Sequence, residues 1–186
     1  GEAPLFGTAD GSREPFGKLP AGAIVSRLAT AGKYTKIQLD ERRTAFVESR
    51  LLRDGGAVSG DVDWVTVYGH APPKLVVEAA AMATQNDKVK IEVEATDDER
   101  LLDTYIFVGS RKLFYQSNRG SADPNKATFT FDAPLKPGVN IITVVARENP
   151  DTTTRRVVVV RRDGKKGEIL KTPKHDDGYL QEAFEE

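Results

Sequence analysis

The sequence predicts an all-β chain of two units, a small one built from short strands and a larger sandwich of seven strands. Three observations carry this. Over residues 88–95 charged and apolar side chains alternate without a break, the period of a strand with one buried face. Over residues 134–147 a Pro-Gly turn and an Asn lead into a second apolar run with the same period. Elsewhere, short apolar runs recur between clusters of Gly, Pro, Asn and Asp, the residues that punctuate all-β folds.

The first unit is expected over residues 1–54. Residues 17–25 read as strand, Pro-x-Gly turn, strand. Residues 33–39 alternate, with Tyr34, Lys36 and Gln38 on one side and Thr35, Ile37 and Leu39 on the other. Residues 40–43 form a polar turn, residues 44–47 a short return strand, and residues 49–52 a single helical turn. A Gly-rich connector is expected over residues 55–72, carrying one short strand with Trp64, the sole tryptophan. Its large apolar area suits it to packing at the joint between the units.

The sandwich is expected over residues 73–163, after the stiff Pro72-Pro73 pair. Its strands fall at 74–78, 88–95, 102–108, 112–115, 128–131, 141–147 and 156–162, with a tight hairpin at Gly109-Ser110. In the sixth, Ile142, Val144 and Ala146 face the core and Asn140 fixes the turn before them. Four valines at 157–160, with Arg pairs at each end, read as a buried strand with solvated termini. Residues 164–186 form a polar tail. Tyr179, Leu180 and Phe184 have the spacing of a short helical turn, but a run this short does not hold a helix alone, so a frayed end is favoured.

Composition narrows the function. The chain has 186 residues, 39% hydrophobic and 30% charged, with a formal net charge of -1. That balance removes the broad basic face expected of a nucleic-acid binder. No apolar run approaches the length of a membrane span, so membrane insertion is not expected. The early patterning, in place by Leu5, suggests a piece of a longer protein. With no Cys, thiolate metal sites, thiol nucleophiles and disulfides are excluded. The two histidines, His70 before a Pro-rich connector and His175 in the tail, read as solvated loop residues. The acidic set Asp97, Asp98, Glu99 and Asp103 lacks the spacing of a calcium loop and reads as a solvated turn. No nucleophile elbow is present. No catalytic residue, metal or cofactor is therefore expected.

Binding residues remain. The long polar loop over residues 117–125 carries Asn118, Arg119 and Asp123. Arg119 has the fork geometry that clamps a carboxylate, while Asn118 and Asp123 equally suit local bonds that shape the loop. The two roles stand level.

Two resemblances sharpen these expectations. Gly17, Leu19, Pro20, Gly22 and Val25, then Lys33, Tyr34, Lys36 and Ile37, then residues 43–47 with Ser49, Leu51 and Leu52, resemble a bacterial SH3-like domain, a small barrel. That family's ligand face falls on the aromatic positions Tyr34 and Phe46, and its usual tryptophans, at Lys33 and Phe46 here, are both replaced. Residues 103–119 and 134–148 resemble a segment near the C-terminus of carboxyl-terminal processing serine peptidases of myxobacteria and related bacteria, with an Ig-like sandwich expected there. The peptidase Ser and Lys, and the PDZ domain, lie upstream of the matching region in that family. The resemblance implies a non-catalytic binding or assembly module of a periplasmic or cell-envelope protease in a Gram-negative bacterium. Its partners would be the upstream peptidase and PDZ domains or their substrate. The alternative is a free-standing envelope protein that holds peptidoglycan or a peptide through the SH3-like unit.

Overall fold

The computed structural model describes residues 1–57, 61–67 and 70–173, and these are built from strands with a single 3-10 turn. The N-terminal unit contains β1 (Ala3–Leu5), β2 (Gly17–Leu19), β3 (Arg27–Ala31), β4 (Tyr34–Gln38), β5 (Thr44–Glu48), the 3-10 turn Ser49–Leu51 and β6 (Val65–Thr66). They form two three-stranded sheets, β1-β2-β6 and β3-β4-β5. The sheets are joined where Phe6 and Phe46 exchange both backbone hydrogen bonds, at 2.9 and 2.8 Å. They do not close into a barrel. β6 is only two residues long and pairs with β2 alone, so the outer edge of β3 has no ladder partner among the described residues.

The core of this unit is Leu5, Phe16, Leu19, Ile37, Leu39, Ala45 and Val47. Two expectations shift here. The return strand after the Pro-x-Gly turn starts at Arg27, and Ile24 stays half exposed. Trp64 lies against the N-terminal core, edge-on to Phe16 with ring centroids 5.7 Å apart, and is not at the joint between the units. The Val62 and Val67 amides donate to the carbonyls of Leu39 and Phe16, so residues 61–67 complete the first unit.

The second unit contains β7 (Lys74–Ala79), β8 (Ala83–Thr84), β9 (Lys88–Thr96), β10 (Asp103–Val108), β11 (Arg111–Ser117), β12 (Lys126–Pro134), β13 (Gly138–Arg147) and β14 (Thr153–Arg162). One sheet has the order β12-β9-β7 and the other β11-β10-β13-β14-β8, eight strands where seven are expected, because the two-residue β8 adds to the end of β14. Val89, Ile91, Val93 and Ala95 of β9 meet Ile106 and Val108 of β10 and Ile142, Val144 and Ala146 of β13 in one core between the sheets. The alternation of β9 and β13 thus places its residues as expected, because the pleat sends every second side chain to the same face. A bulge between Ile106 and Phe107 lets consecutive residues Leu113 and Phe114 of β11 both pack on this core.

The turn into β13 is set by Asn140. Its side-chain oxygen accepts from the Lys136 amide at 2.8 Å, and its Nδ2 donates to the carbonyls of Lys136 and Gly138 at 2.8 and 3.0 Å. Gly138 adopts φ +79°, and a Cβ there would stand 2.6 Å from the Thr172 amide nitrogen. The chain after β14 therefore runs close against this turn, where the Val139 amide donates to Thr172 Oγ1 at 2.9 Å. His175, Tyr179, Leu180 and Phe184 lie outside the described residues.

The valine run of β14 corrects the sequence reading. Val160 is fully buried, but Val157 and Val159 are 54% and 46% exposed. They alternate like any other strand, with Val139 and Ile141 of β13 half exposed on the same outer face. No described helix is long and apolar enough to cross a membrane.

Candidate functional site

Hydrogen bonds and ion pairs knit the two units together on several sides. The Leu75 amide donates to the Arg42 carbonyl at 3.2 Å, and Arg43 Nε donates to the Pro72 carbonyl at 3.1 Å. The Arg43 guanidinium also reaches Asp98 at 2.7 Å, where Lys74 binds the other oxygen at 3.0 Å. Lys74, followed by Arg43, holds the Asp98 carboxyl below its ordinary value. Arg156 spans the joint, donating to the carbonyls of Leu75 and Glu41. On the far side, Lys36 donates to the Arg155 carbonyl at 2.9 Å, Thr153 to the Gly7 carbonyl at 3.2 Å, and Arg13 pairs with Asp151 at 2.8 Å.

One cluster beside this joint brings together groups far apart in sequence. His70, at the end of the connector, places Nδ1 2.5 Å from Glu148 Oε1 and 3.4 Å from Glu99 Oε2. Three segments meet here: the connector, the turn after β9 and the residue following β13. The Asp97 carboxylate builds that turn, with Oδ1 accepting from the Glu99 and Arg100 amides at 2.9 Å. The Glu148 side chain is only 6% exposed. Among the described residues its buried Oε2 has no hydrogen-bond partner, and neither has Asp97 Oδ2. Burial first, then the charge of Asp97, pushes the Glu148 carboxyl above its ordinary value, and burial likewise raises Asp97.

His70 is therefore a partly exposed loop residue that also belongs to a carboxylate cluster. The acidic turn is not solvated throughout either, since Asp97 and Asp103 are buried. Asp103 faces Arg147 across β10 and β13, and the guanidinium holds both its oxygens at 2.7 and 2.5 Å. Tyr105 lies under Arg147, and Lys112 sits over the Tyr105 and Tyr115 rings at 4.4 and 4.7 Å from the centroids. This charged and aromatic patch covers one part of the outer sheet face and the half-exposed valines another. No local pattern announced either cluster. A strand-end Glu, a His before two prolines and an Asp opening a strand become neighbours only through the order of the strands.

The residues expected to bind are placed as follows. Tyr34 is 3% exposed and packs edge-on to Phe6, so its ring is core and offers almost no surface to a ligand. Phe46 is half-buried at the bridge between the two N-terminal sheets. Asn118 is buried and shapes its loop, donating to the carbonyls of Asp123 and Pro124 at 3.1 and 3.0 Å. Asp123 accepts from the Asn125 amide at 2.9 Å, a local turn. Arg119 is exposed at the tip of the loop these bonds fix. Asn118 and Asp123 thus shape the loop, and Arg119 and Asp123 both face solvent.

A cleft of about 830 Å³ opens in the N-terminal unit between residues 1–3, the segment 21–27 that leads into β3, and residues 50–56. Arg27, Arg50 and Arg53 line it together with Glu2, Asp54 and Ile24, and Arg27 pairs with Asp54 at 3.0 Å. Comparison of the chain with protein families, with curated proteins and with solved structures finds no match.

Proposed function

We propose that this chain is a non-catalytic binding and assembly module of a bacterial cell-envelope peptidase, made of an SH3-like unit and an Ig-like sandwich. It acts in the periplasm by positioning the peptidase, its PDZ domain or its substrate. The observation that carries the binding role is the outer face of β13 and β14. Val139, Ile141, Val157 and Val159 stand about half exposed on neighbouring strands, next to an aromatic and cationic patch. A contiguous apolar surface of this kind, rimmed by charge, is the usual mark of a protein contact. The resemblance of residues 103–119 and 134–148 to the C-terminal segment of carboxyl-terminal processing peptidases supports the choice of partner, and the bonds across the joint suit a module that sets orientation.

The test is capture of the purified peptidase and PDZ region of such an enzyme by the immobilised chain. Ile141→Lys with Val157→Lys should abolish capture while leaving the melting temperature nearly unchanged, because both side chains are half exposed. Arg119→Ala is the parallel probe of the loop tip. Capture that survives all three substitutions overturns the assignment of the surface. The second reading, an envelope protein that holds peptidoglycan or a peptide, is favoured by the arginine-lined cleft of the N-terminal unit. It predicts co-sedimentation with purified peptidoglycan that is lost with Arg50→Ala and Arg53→Ala.

A further inference from the structure

We propose that His70, Glu99 and Glu148 form a binding site for a divalent transition-metal cation, zinc fitting best, that pins the connector to the second unit. The ligand atoms of the three residues all lie within 4.8 Å of one another. The 3.4 Å between His70 Nδ1 and Glu99 Oε2 is close to the separation of two ligands that share one tetrahedral ion at about 2.0–2.1 Å. The 2.5 Å contact of Nδ1 with Glu148 Oε1 is a hydrogen bond, which an ion shared by both atoms would replace by moving them apart by about 0.9 Å.

Charge and burial point the same way. Glu99 and Glu148 bring two carboxyl groups together, and buried Asp97 adds a third nearby. The histidine alone does not satisfy this: among the described residues Glu148 Oε2 has no partner although its side chain is over nine-tenths buried. A buried carboxylate oxygen without a donor costs free energy that a coordinated cation removes. The ligand type sets the metal class. An imidazole nitrogen with carboxylate oxygens suits zinc and its first-row neighbours, whereas calcium and magnesium prefer oxygen alone. Three protein ligands leave a fourth position for water.

The consequence is mechanical. His70 lies on the connector, while Glu99 and Glu148 both belong to the second unit. An ion held by all three ties the connector down immediately before Pro72, whose carbonyl is already bound by Arg43 of the first unit. Metal binding therefore stiffens the angle between the units, whichever ligand the module takes.

The experiment is titration of the full chain, stripped with EDTA, with zinc chloride, followed by calorimetry and thermal melting, with calcium and magnesium chloride in parallel. One zinc per chain is expected, with a melting temperature raised by roughly 5 °C or more at a hundredfold excess over the dissociation constant. Neither calcium nor magnesium should match it. His70→Ala and Glu99→Gln, both at partly exposed positions, should each weaken zinc at least tenfold, and Glu148→Gln should do the same. His175→Ala, which removes the chain's other histidine, should bind zinc as the parent does. The proposal is overturned if no stoichiometric zinc binds, if His70→Ala and Glu99→Gln bind it unchanged, or if calcium binds equally well and independently of His70.

Discussion

Lys36 offers a direct measure of how tightly the two units are joined. Its ammonium is held at the joint, donating to the Arg155 carbonyl, and its ordinary value of 10.5 is pushed down to about 8. Burial is the main cause, followed by the nearby charges of Arg156 and Arg155. Below pH 8 both the folded and the unfolded chain carry this proton, so folding bears the full penalty of placing the charge there. Between pH 8 and 10.5 the unfolded chain binds the proton and the folded chain releases it. The unfolded state then holds more protons, so this residue's contribution makes stability rise with pH across that window. At about 1.36 kcal/mol per pH unit the ceiling is roughly 3.4 kcal/mol. The side chain is only half-buried, and solvent screening brings this to about 1–2 kcal/mol. Lys36→Met keeps the stem and removes the charge, at the loss of a hydrogen bond of about 0.5–1 kcal/mol. Urea unfolding of both proteins at pH 7, 8, 9, 10 and 10.5 is the assay. The variant should match or exceed the parent at pH 7, and the difference should move in the parent's favour by about 1–2 kcal/mol by pH 10.5. A difference that stays flat across the series would show that Lys36 is not buried against Arg155 and Arg156, and that the joint is looser than described.

Two further perturbations probe the second unit. Val144 is fully buried at the centre of β13, so Val144→Asp places an unpaired carboxylate in the core and should cost at least about 4 kcal/mol. Ile141→Asp on the outer face should cost about 1 kcal/mol or less, and equal losses in urea unfolding would refute the register. Asn140→Ala removes the bonds to Lys136 and Gly138, which should cost about 2–3 kcal/mol. A melting temperature unchanged by it would show that the turn is fixed by Gly138 alone.

The sequence by itself determined seven of the eight strands of the second unit, missing the two-residue β8, and the faces of those that alternate. β9 shows why: charged and apolar residues trade places at every step, so one face can only be the core. Asn140 was legible for the same local reason, since its bonds reach residues two and four positions away. The valines of β14 defeated this reading, because four identical apolar residues carry no information about which face is covered, and only the neighbouring strands decide it. The N-terminal unit was legible as short strands, yet whether its sheets close into a barrel depended on how far β6 extends. Tyr34 looked like a ligand-face aromatic and became core because Phe6, 28 positions earlier, packs against it. The His70, Glu99 and Glu148 cluster was beyond any local pattern. His70 and Glu148 are 78 positions apart, and they meet because the end of β13 and the turn after β9 lie beside the end of the connector. Periodicity records what a residue's own strand needs. Which strand ends stand side by side is fixed by the pairing of whole strands and the packing of two sheets, and that is where this chain gathers its charged groups.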